Sequence, residues 1–238
     1  MDNRLLQATG GAAPVVLTYD PMGRLSSYAV NGGTATTFLY DGVNLVAEYA
    51  GLGSTPIRRY LHGLGTDQPF IQFNSGAVGT TDANWLYANY QGSVMAIADG
   101  VGVGSVLLRY DPYGMPVNSS GTRDSGWTGS RFGYTGQTFL SEAKLCYYKA
   151  RVYDPKYGRF LQTDPIGSLD NLDRYQYASD DPVDGSDPTG NQVMPQEIFP
   201  NPATLPDDQT NYSPQVQNVA VAIVGVVSCS SHVSRDLV

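Results

Sequence analysis

Two copies of the sequence Asp-Pro-x-Gly near the C-terminal end of the chain each present one carboxylate. The first is Asp164-Pro165-Ile166-Gly167 and the second is Asp187-Pro188-Thr189-Gly190. Two carboxylates held close together can hydrolyse a peptide bond, one as an ionised general base and the other protonated against the scissile carbonyl. Asp-Pro-x-Gly is also an ordinary turn sequence, and it recurs at Asp20 and Asp111. On these residues alone, a turn role is the default.

The other residue types that carry chemistry predict no metal or cofactor site. Cys146 and Cys229 lie far apart, and with His62 and His232 they give neither a zinc-ligand spacing nor a disulfide framework. The segment Cys229–His232 lacks a third group that could orient a nucleophile and base. The net charge of −8 comes without a basic patch, so we expect no nucleic-acid partner.

Short strands that end in Tyr and run into a turn recur along the chain and predict an all-β fold. Examples are Val15–Tyr19 before Asp20 and Val106–Tyr110 before Asp111. Asp can accept hydrogen bonds within the turn, Pro fixes φ, and Gly takes the positive-φ corner. The Tyr ring is expected to be buried with its hydroxyl hydrogen-bonded. Single hairpins are unstable alone, so neighbouring units should pair into a long antiparallel sheet.

The segment from Leu145 to Tyr153 alternates in a way that predicts one continuous strand. In that reading, the strand has an apolar face and a mixed face that includes Lys149 and Arg151.

The repeats resemble YD repeats, and the stretch from Tyr134 to Gly167 resembles the core domain associated with Rhs repeats. The closest part is Tyr147-Tyr148-Lys149-Ala150-Arg151-Val152-Tyr153-Asp154-Pro155-Lys156-Tyr157-Gly158-Arg159-Phe160-Leu161-Gln162-Thr163-Asp164-Pro165-Ile166-Gly167. The resemblance covers roughly residues 15–190. It implies the C-terminal end of a bacterial polymorphic toxin shell: a β-sheet that spirals into a hollow shell, closes in a turn-rich plug and encloses a variable C-terminal toxin.

The same resemblance implies that the paired motif is an intramolecular aspartyl protease, with Asp164 and Asp187 at the positions of the catalytic pair. The resemblance further implies self-cleavage just after the second copy, after residue 190 or 191. Arg159 is a further candidate, for orienting a carboxylate or stabilising the oxyanion. The chain departs from the family pattern at Asn191, where Leu is usual, and at Asn89–Ser93, where Asp-His-x-Gly-Ser is frequent.

Three regions are expected: a YD-repeat sheet over residues 1–163, the closing region 164–190 and a variable tail 191–238. The tail is Pro-rich and then apolar over Val219–Val227, which is too short for a span of about 20 residues. The N-terminus lacks a signal-peptide pattern. We expect a secreted or cell-surface location as part of a larger protein, with upstream shell segments, the toxin, an immunity protein or a secretion apparatus as partners.

Two alternative functions stay open at this stage. One is a surface module that binds carbohydrate or another partner, because Tyr- and Trp-rich faces can stack on sugars. The other is a truncated, non-functional remnant, because a lone piece of shell exposes sheet edges. Any enzymatic activity is expected to be self-cleavage rather than metabolism.

Overall fold

A ten-stranded antiparallel sheet, its strands adjacent in sequence order, forms the first part of the fold; a four-stranded and a two-stranded sheet follow. This computed structural model describes residues 3–9, 13–123, 129–167 and 172–195, and the predicted tail beyond residue 195 lies outside them. The first sheet contains β1 (Gln7–Ala8), β2 (Val15–Tyr19), β3 (Leu25–Val30), β4 (Thr36–Asp41), β5 (Asn44–Ala50), β6 (Pro56–His62), β7 (Pro69–Phe73), β8 (Ala83–Ala88), β9 (Val94–Ala98) and β10 (Gly104–Leu107).

The second sheet contains β11 (Thr138–Leu140), β12 (Leu145–Tyr148), β13 (Arg151–Asp154) and β14 (Arg159–Phe160), and the third pairs β15 (Gly185–Ser186) with β16 (Met194–Pro195). The helices of the described residues are single 3₁₀ turns at Thr80–Asp82, Tyr134–Gly136 and Ala178–Asp180. The predicted all-β class is confirmed. Within the described ranges, no helix is long and apolar enough to cross a membrane.

Turn chemistry fixes the ends of the repeating strands as predicted. Asp20 Oδ1 accepts hydrogen bonds from the backbone N–H groups of Met22 and Arg24, both at 2.9 Å. The following Gly23 has a φ of +79°. Asp111 repeats this arrangement. At these two Asp-Pro-x-Gly copies the motif is therefore a turn.

The tyrosine that precedes each turn ties its strand to an earlier part of the chain. The hydroxyl of Tyr19 donates to the Leu5 carbonyl at 2.9 Å, and that of Tyr40 donates to the Leu25 carbonyl at 2.9 Å. Tyr110 does the same toward Val94 at 2.8 Å. The ring packs into the core while its hydroxyl is satisfied by backbone, which explains why Tyr suits this position.

The prediction of one strand from Leu145 to Tyr153 is wrong. The chain reverses at Lys149 and Ala150, and Lys149 has a φ of +62°, so β12 and β13 form a hairpin in which Tyr148 pairs with Arg151. The expected mixed face is absent because the four-stranded sheet is covered on both sides. One face packs in the core of the ten-stranded sheet, and the other lies in a cluster of tyrosines with Phe160.

A buried ion pair joins the first two sheets. Glu48 on β5 is fully buried, and Arg131, just before β11, donates to it from Nε at 2.6 Å and from Nη2 at 3.1 Å. The Tyr60 hydroxyl also donates to Glu48. Arg131 Nη1 donates to the Phe139 carbonyl of β11 at 3.1 Å. This pair therefore links β5 of the ten-stranded sheet to the first strand of the four-stranded sheet.

Candidate functional site

The two predicted aspartates meet at one buried arginine, Arg151. Its Nη2 lies 2.9 Å from Asp164 Oδ2 and 3.0 Å from Asp187 Oδ2. The side chains of Arg151 and Asp187 are 2% and 1% exposed, and that of Asp164 is 12% exposed. A buried charge must be paired, and here one guanidinium serves two carboxylates. The two Asp-Pro-x-Gly copies are thus brought together, as the aspartyl-pair prediction requires.

Arg151 is held rigidly because every part of its guanidinium has a partner. The group stacks on the ring of Phe160 at 3.7 Å. Its Nε donates to the carbonyl oxygen of Gly190 at 2.5 Å, and Nη1 donates to the carbonyl of Arg174 at 3.3 Å. The planar guanidinium of arginine, with several N–H donors and a face that can stack on a ring, suits such a position. Through the Nε contact, the positively charged guanidinium lies against the carbonyl oxygen at the end of the second motif.

Asp187 keeps one contact of the turn aspartates, to the backbone N–H four residues on, and adds a contact to the fifth. Its Oδ1 accepts hydrogen bonds from the backbone N–H groups of Asn191 and Gln192, both at 3.1 Å. Burial raises the pKa of Asp187 above its ordinary value, although Arg151 and these N–H groups oppose the shift. The carboxyl group therefore keeps its proton to a higher pH than an exposed aspartate, and it lies beside the nitrogen of Asn191.

Asp164 combines a turn role with a place in the pair. Its Oδ1 accepts from the Ile166 N–H at 2.9 Å, as Asp20 does within its own turn, while Oδ2 contacts Arg151. Asp164, Asp187, Arg151 and Asn191 line a small cleft with a cavity volume of about 20 Å³. That is room for about one water molecule.

Gly190 is required by the close packing of the second motif. Its φ is +72°, and a Cβ placed on it would lie 2.5 Å from the Tyr148 carbonyl oxygen and 3.0 Å from the Arg151 nitrogen. Gly167, at the same place in the first motif, has a φ of +83° and open space around it. The second motif is thus pressed against the β12–β13 turn, whereas the first is not.

Arg159, the third predicted site residue, is not brought to the aspartate pair. Its Nη1 donates to Asp173, and the two side chains are 48% and 38% exposed. Successive residues of a strand point to opposite sides. On β14 the next residue, Phe160, faces Arg151, so Arg159 points away. The arginine of the pair is Arg151.

The sequence contained one signal for Arg151 that the single-strand interpretation missed. Leu145–Tyr148 and Arg151–Asp154 are two runs of strand-forming residues separated by two residues, which is a hairpin spacing. Recognising that hairpin would have placed Arg151 at the start of a strand rather than in the middle of one. Its contacts with Asp164 and Asp187 depend on long-range packing.

Comparison with known proteins identifies the family. The family model described as Teneurin YD-shell matches residues 4–183. The chain belongs to this YD-shell family. The resemblance to Rhs and YD-repeat proteins is confirmed, and the matched range ends just before the second Asp-Pro-x-Gly copy.

Relatives of this YD-shell chain include much longer proteins. It is 29% identical over 184 residues to the tRNA3(Ser)-specific nuclease WapA of Bacillus spizizenii, covering 74% of this chain and 7% of that protein. It is 29% identical over 113 residues to the toxin subunit YenC1 of Yersinia entomophaga, covering 48% of this chain and 12% of that protein. The chain thus spans about a tenth of these relatives or less.

Solved structures share the fold. The crystal structure of TcdB2-TccC3 without its hypervariable C-terminal region matches 79% of this chain and 10% of that chain, with a TM-score of 0.56 and 22% identity. Strands of this YD-shell segment therefore follow the same course as a part of that much longer chain.

Proposed function

We propose that this chain is the closing segment of a YD-repeat toxin shell and that its paired Asp-Pro-x-Gly motif cuts the chain after Gly190. The observation that carries this proposal is Arg151, whose Nη2 contacts Asp164 and Asp187 while its Nε contacts the Gly190 carbonyl. A turn role alone requires none of these shared contacts.

In the proposed reaction, water adds to the Gly190 carbonyl carbon. Asp164, which lines the cleft, takes the proton of that water as general base. Arg151 Nε stabilises the oxygen that becomes negatively charged. Asp187, whose pKa is raised by burial, enters the proposed reaction with a proton and gives it to the Asn191 nitrogen as the C–N bond breaks. The new Gly190 carboxyl group then returns a proton to Asp187, and the Asn191 amine takes the proton held by Asp164, so that the products are the Gly190 carboxylate and the protonated Asn191 amine.

This assignment differs from the general aspartyl scheme in one respect. In that scheme the protonated aspartate polarises the scissile carbonyl. Here Arg151 already contacts that carbonyl at 2.5 Å, and Asp187 contacts the N–H on the other side of the same peptide bond at 3.1 Å. We therefore assign Asp187 as the acid for the leaving nitrogen and Asp164 as the base.

The wider role that we propose follows from the family. Residues 1–163 would form part of the shell wall, residues 164–190 its closing region and residues 191–238 the released segment. Upstream YD repeats and a C-terminal toxin would be the partners, in a secreted or cell-surface protein. Support comes from the YD-shell match and from relatives that are named a nuclease and a toxin subunit.

Cleavage is tested by producing the full chain as wild type, Asp164→Asn, Asp187→Asn and Arg151→Lys. Gel electrophoresis and intact mass should show a fragment ending at Gly190 in the wild type and intact chain in the three variants. Arg151→Lys keeps the charge but loses the planar fork. The matched control is Asp111→Asn, which alters an Asp-Pro-x-Gly turn outside the site and should leave cleavage unchanged. An equal extent of cleavage in the Asp111→Asn and Asp187→Asn variants would contradict the proposal.

A further inference from the structure

Three successive residues of the β12–β13 turn hold three successive carbonyls of the second Asp-Pro-x-Gly motif. Lys149 Nζ donates to the Pro188 carbonyl at 2.7 Å. The Ala150 N–H donates to the Thr189 carbonyl at 3.1 Å, and Arg151 Nε donates to the Gly190 carbonyl at 2.5 Å. The segment before the proposed cut thus lies along the turn with each of its three carbonyls hydrogen-bonded to it, and Gln137 Nε2 also donates to the Pro188 carbonyl, at 3.4 Å. Of these donors, only Arg151 has a role in the reaction described above.

Among these three donors, Lys149 also contacts a residue of the ten-stranded sheet's loops, Asp67. Its ammonium group forms an ion pair with Asp67 and donates to Gln137 Oε1 at 2.9 Å, in addition to the Pro188 carbonyl. An ammonium group has three N–H donors, and here three acceptors are present. Gln137 Nε2 in turn donates to the other oxygen of Asp67 at 2.6 Å. The Lys149 and Asp67 side chains are 23% and 14% exposed.

Asp67 belongs to the loop between β6 and β7 of the ten-stranded sheet, far in sequence from the motif that it helps to hold. The loop packs closely at this point, because a Cβ on Gly136 would collide with the Asp67 carbonyl. The chain of contacts therefore runs from the β6–β7 loop through Asp67 and Lys149 to Pro188. Burial lowers the pKa of Lys149 and raises that of Asp67, while each partner's charge opposes the shift in the other. Each therefore depends on the other to stay charged.

We propose that Lys149, held by Asp67, is a positioning residue for cleavage after Gly190. Through this contact, cleavage depends on the β6–β7 loop being packed against the β12–β13 turn. This inference rests on the proposed function. Lys149 touches none of the reacting atoms. By fixing the Pro188 carbonyl two residues upstream, it keeps the Gly190 carbonyl on Arg151 and the Asn191 nitrogen on Asp187. The large sheet must therefore be folded against the site before the chain is cut.

The test compares cleavage rates in the full chain carrying Lys149→Met, Lys149→Arg, Asp67→Asn and the Lys149→Met/Asp67→Asn double change. Loss of this alignment should slow cleavage by about 10- to 100-fold in Lys149→Met, because small displacements of reacting groups have effects of that size. Asp67→Asn should slow it similarly. The double variant should be no slower than the slower single variant, because both changes break the same chain of contacts. Lys149→Arg, which keeps a charged donor, should recover part of the rate.

A destabilised control separates positioning from folding. Leu86→Ala removes a buried side chain from β8, which should destabilise the fold, and it changes none of the contacts described around Gly190, so below its unfolding temperature it should cleave at the wild-type rate. Wild-type rates in both Lys149→Met and Asp67→Asn, with none in Asp187→Asn, would overturn this inference alone. A slowing in Leu86→Ala equal to that in Lys149→Met would also overturn it, because mere destabilisation would then explain the loss. An intact wild-type chain would instead overturn the proposed function.

Discussion

At the scale of single residues, the proposed cleavage depends on the proton of Asp187. Burial raises the pKa of this carboxyl in the folded chain. Its protonated form is therefore favoured by folding, and that contribution to stability is present at low pH and lost as the pH rises through the raised pKa. The acid that the leaving nitrogen needs is lost over the same range.

We predict that the cleavage rate falls as the pH rises through the pKa of Asp187, and that this fall lies above the ordinary range of an aspartate. The measurement is the rate of fragment appearance across pH, with circular dichroism to confirm that the chain stays folded. A rate that stays constant or increases through this range would show that Asp187 does not act as the acid.

The two motif glycines offer a second prediction at this scale. Gly167→Ala and Gly190→Ala both place a side chain at positive φ, which costs about 1–2 kcal/mol. Only at Gly190 would the new Cβ meet backbone atoms of Tyr148 and Arg151. Gly190→Ala should therefore lower the free energy of unfolding more than Gly167→Ala does and should abolish cleavage, whereas Gly167→Ala should retain it. Denaturant unfolding and gel assays measure the two effects; equal losses in both variants would contradict the packing argument.

Single residues also show how far the sequence predicts the site. The Asp164–Asp187 pair was predictable because the flanking sequence resembles a known motif. Arg151 was not, since its contacts combine a hairpin, the Phe160 ring and two carboxylates that are distant in sequence. Arg159 was chosen because it is near Asp164 in sequence, but strand alternation turns it toward Asp173.

At the scale of elements, the repeating strands were predictable because each unit carries its own turn. Asp20 and Asp111 accept from the backbone N–H groups of their own turns, so the pattern is local. The β12–β13 hairpin was not predicted, because its Lys149-Ala150 turn lacks the glycine or asparagine that usually marks a positive φ. The single-strand interpretation assumed one apolar face and one mixed face. In the folded chain both faces of the second sheet are buried, so this difference between the faces is absent.

The ion pair between the sheets gives the prediction for this scale. Glu48→Gln leaves Arg131 buried without its counter-charge, and breaking such a pair typically costs about 3–5 kcal/mol. Arg58, which also contacts Glu48 at 3.3 Å, has a side chain that is 41% exposed. Arg58→Ala should therefore cost about 1 kcal/mol or less. Denaturant unfolding of both variants measures the difference; equal losses would mean that Arg131 does not depend on Glu48.

At the scale of the whole molecule, the ten-stranded sheet ends in two edges. In the described sheet, β1 and β10 have one neighbour each. Unpaired edges can join other strands, which is how a longer shell would continue and how separate chains could associate. Leu107 at the end of β10 is 71% exposed, so one large apolar side chain lies at this edge.

We predict that the chain produced by itself associates through the β10 edge and that Leu107→Lys reduces this association. A charge at an edge discourages strand pairing. The control is Leu52→Lys, which makes the same change at a fully exposed position in the turn between β5 and β6. Light scattering over a range of concentrations measures the average mass. A similar reduction by both variants would mean that general surface charge, rather than this edge, controls association.

The central claim is that Asp164, Asp187 and Arg151 together hydrolyse the bond between Gly190 and Asn191. The most direct measurement is mass spectrometry of the chain produced and incubated in water labelled with ¹⁸O. The predicted result is a fragment that ends at Gly190 and carries one labelled oxygen in its new carboxylate, and that is absent in Asp187→Asn. An intact wild-type chain, or a cut at another bond that persists in Asp187→Asn, would contradict the claim.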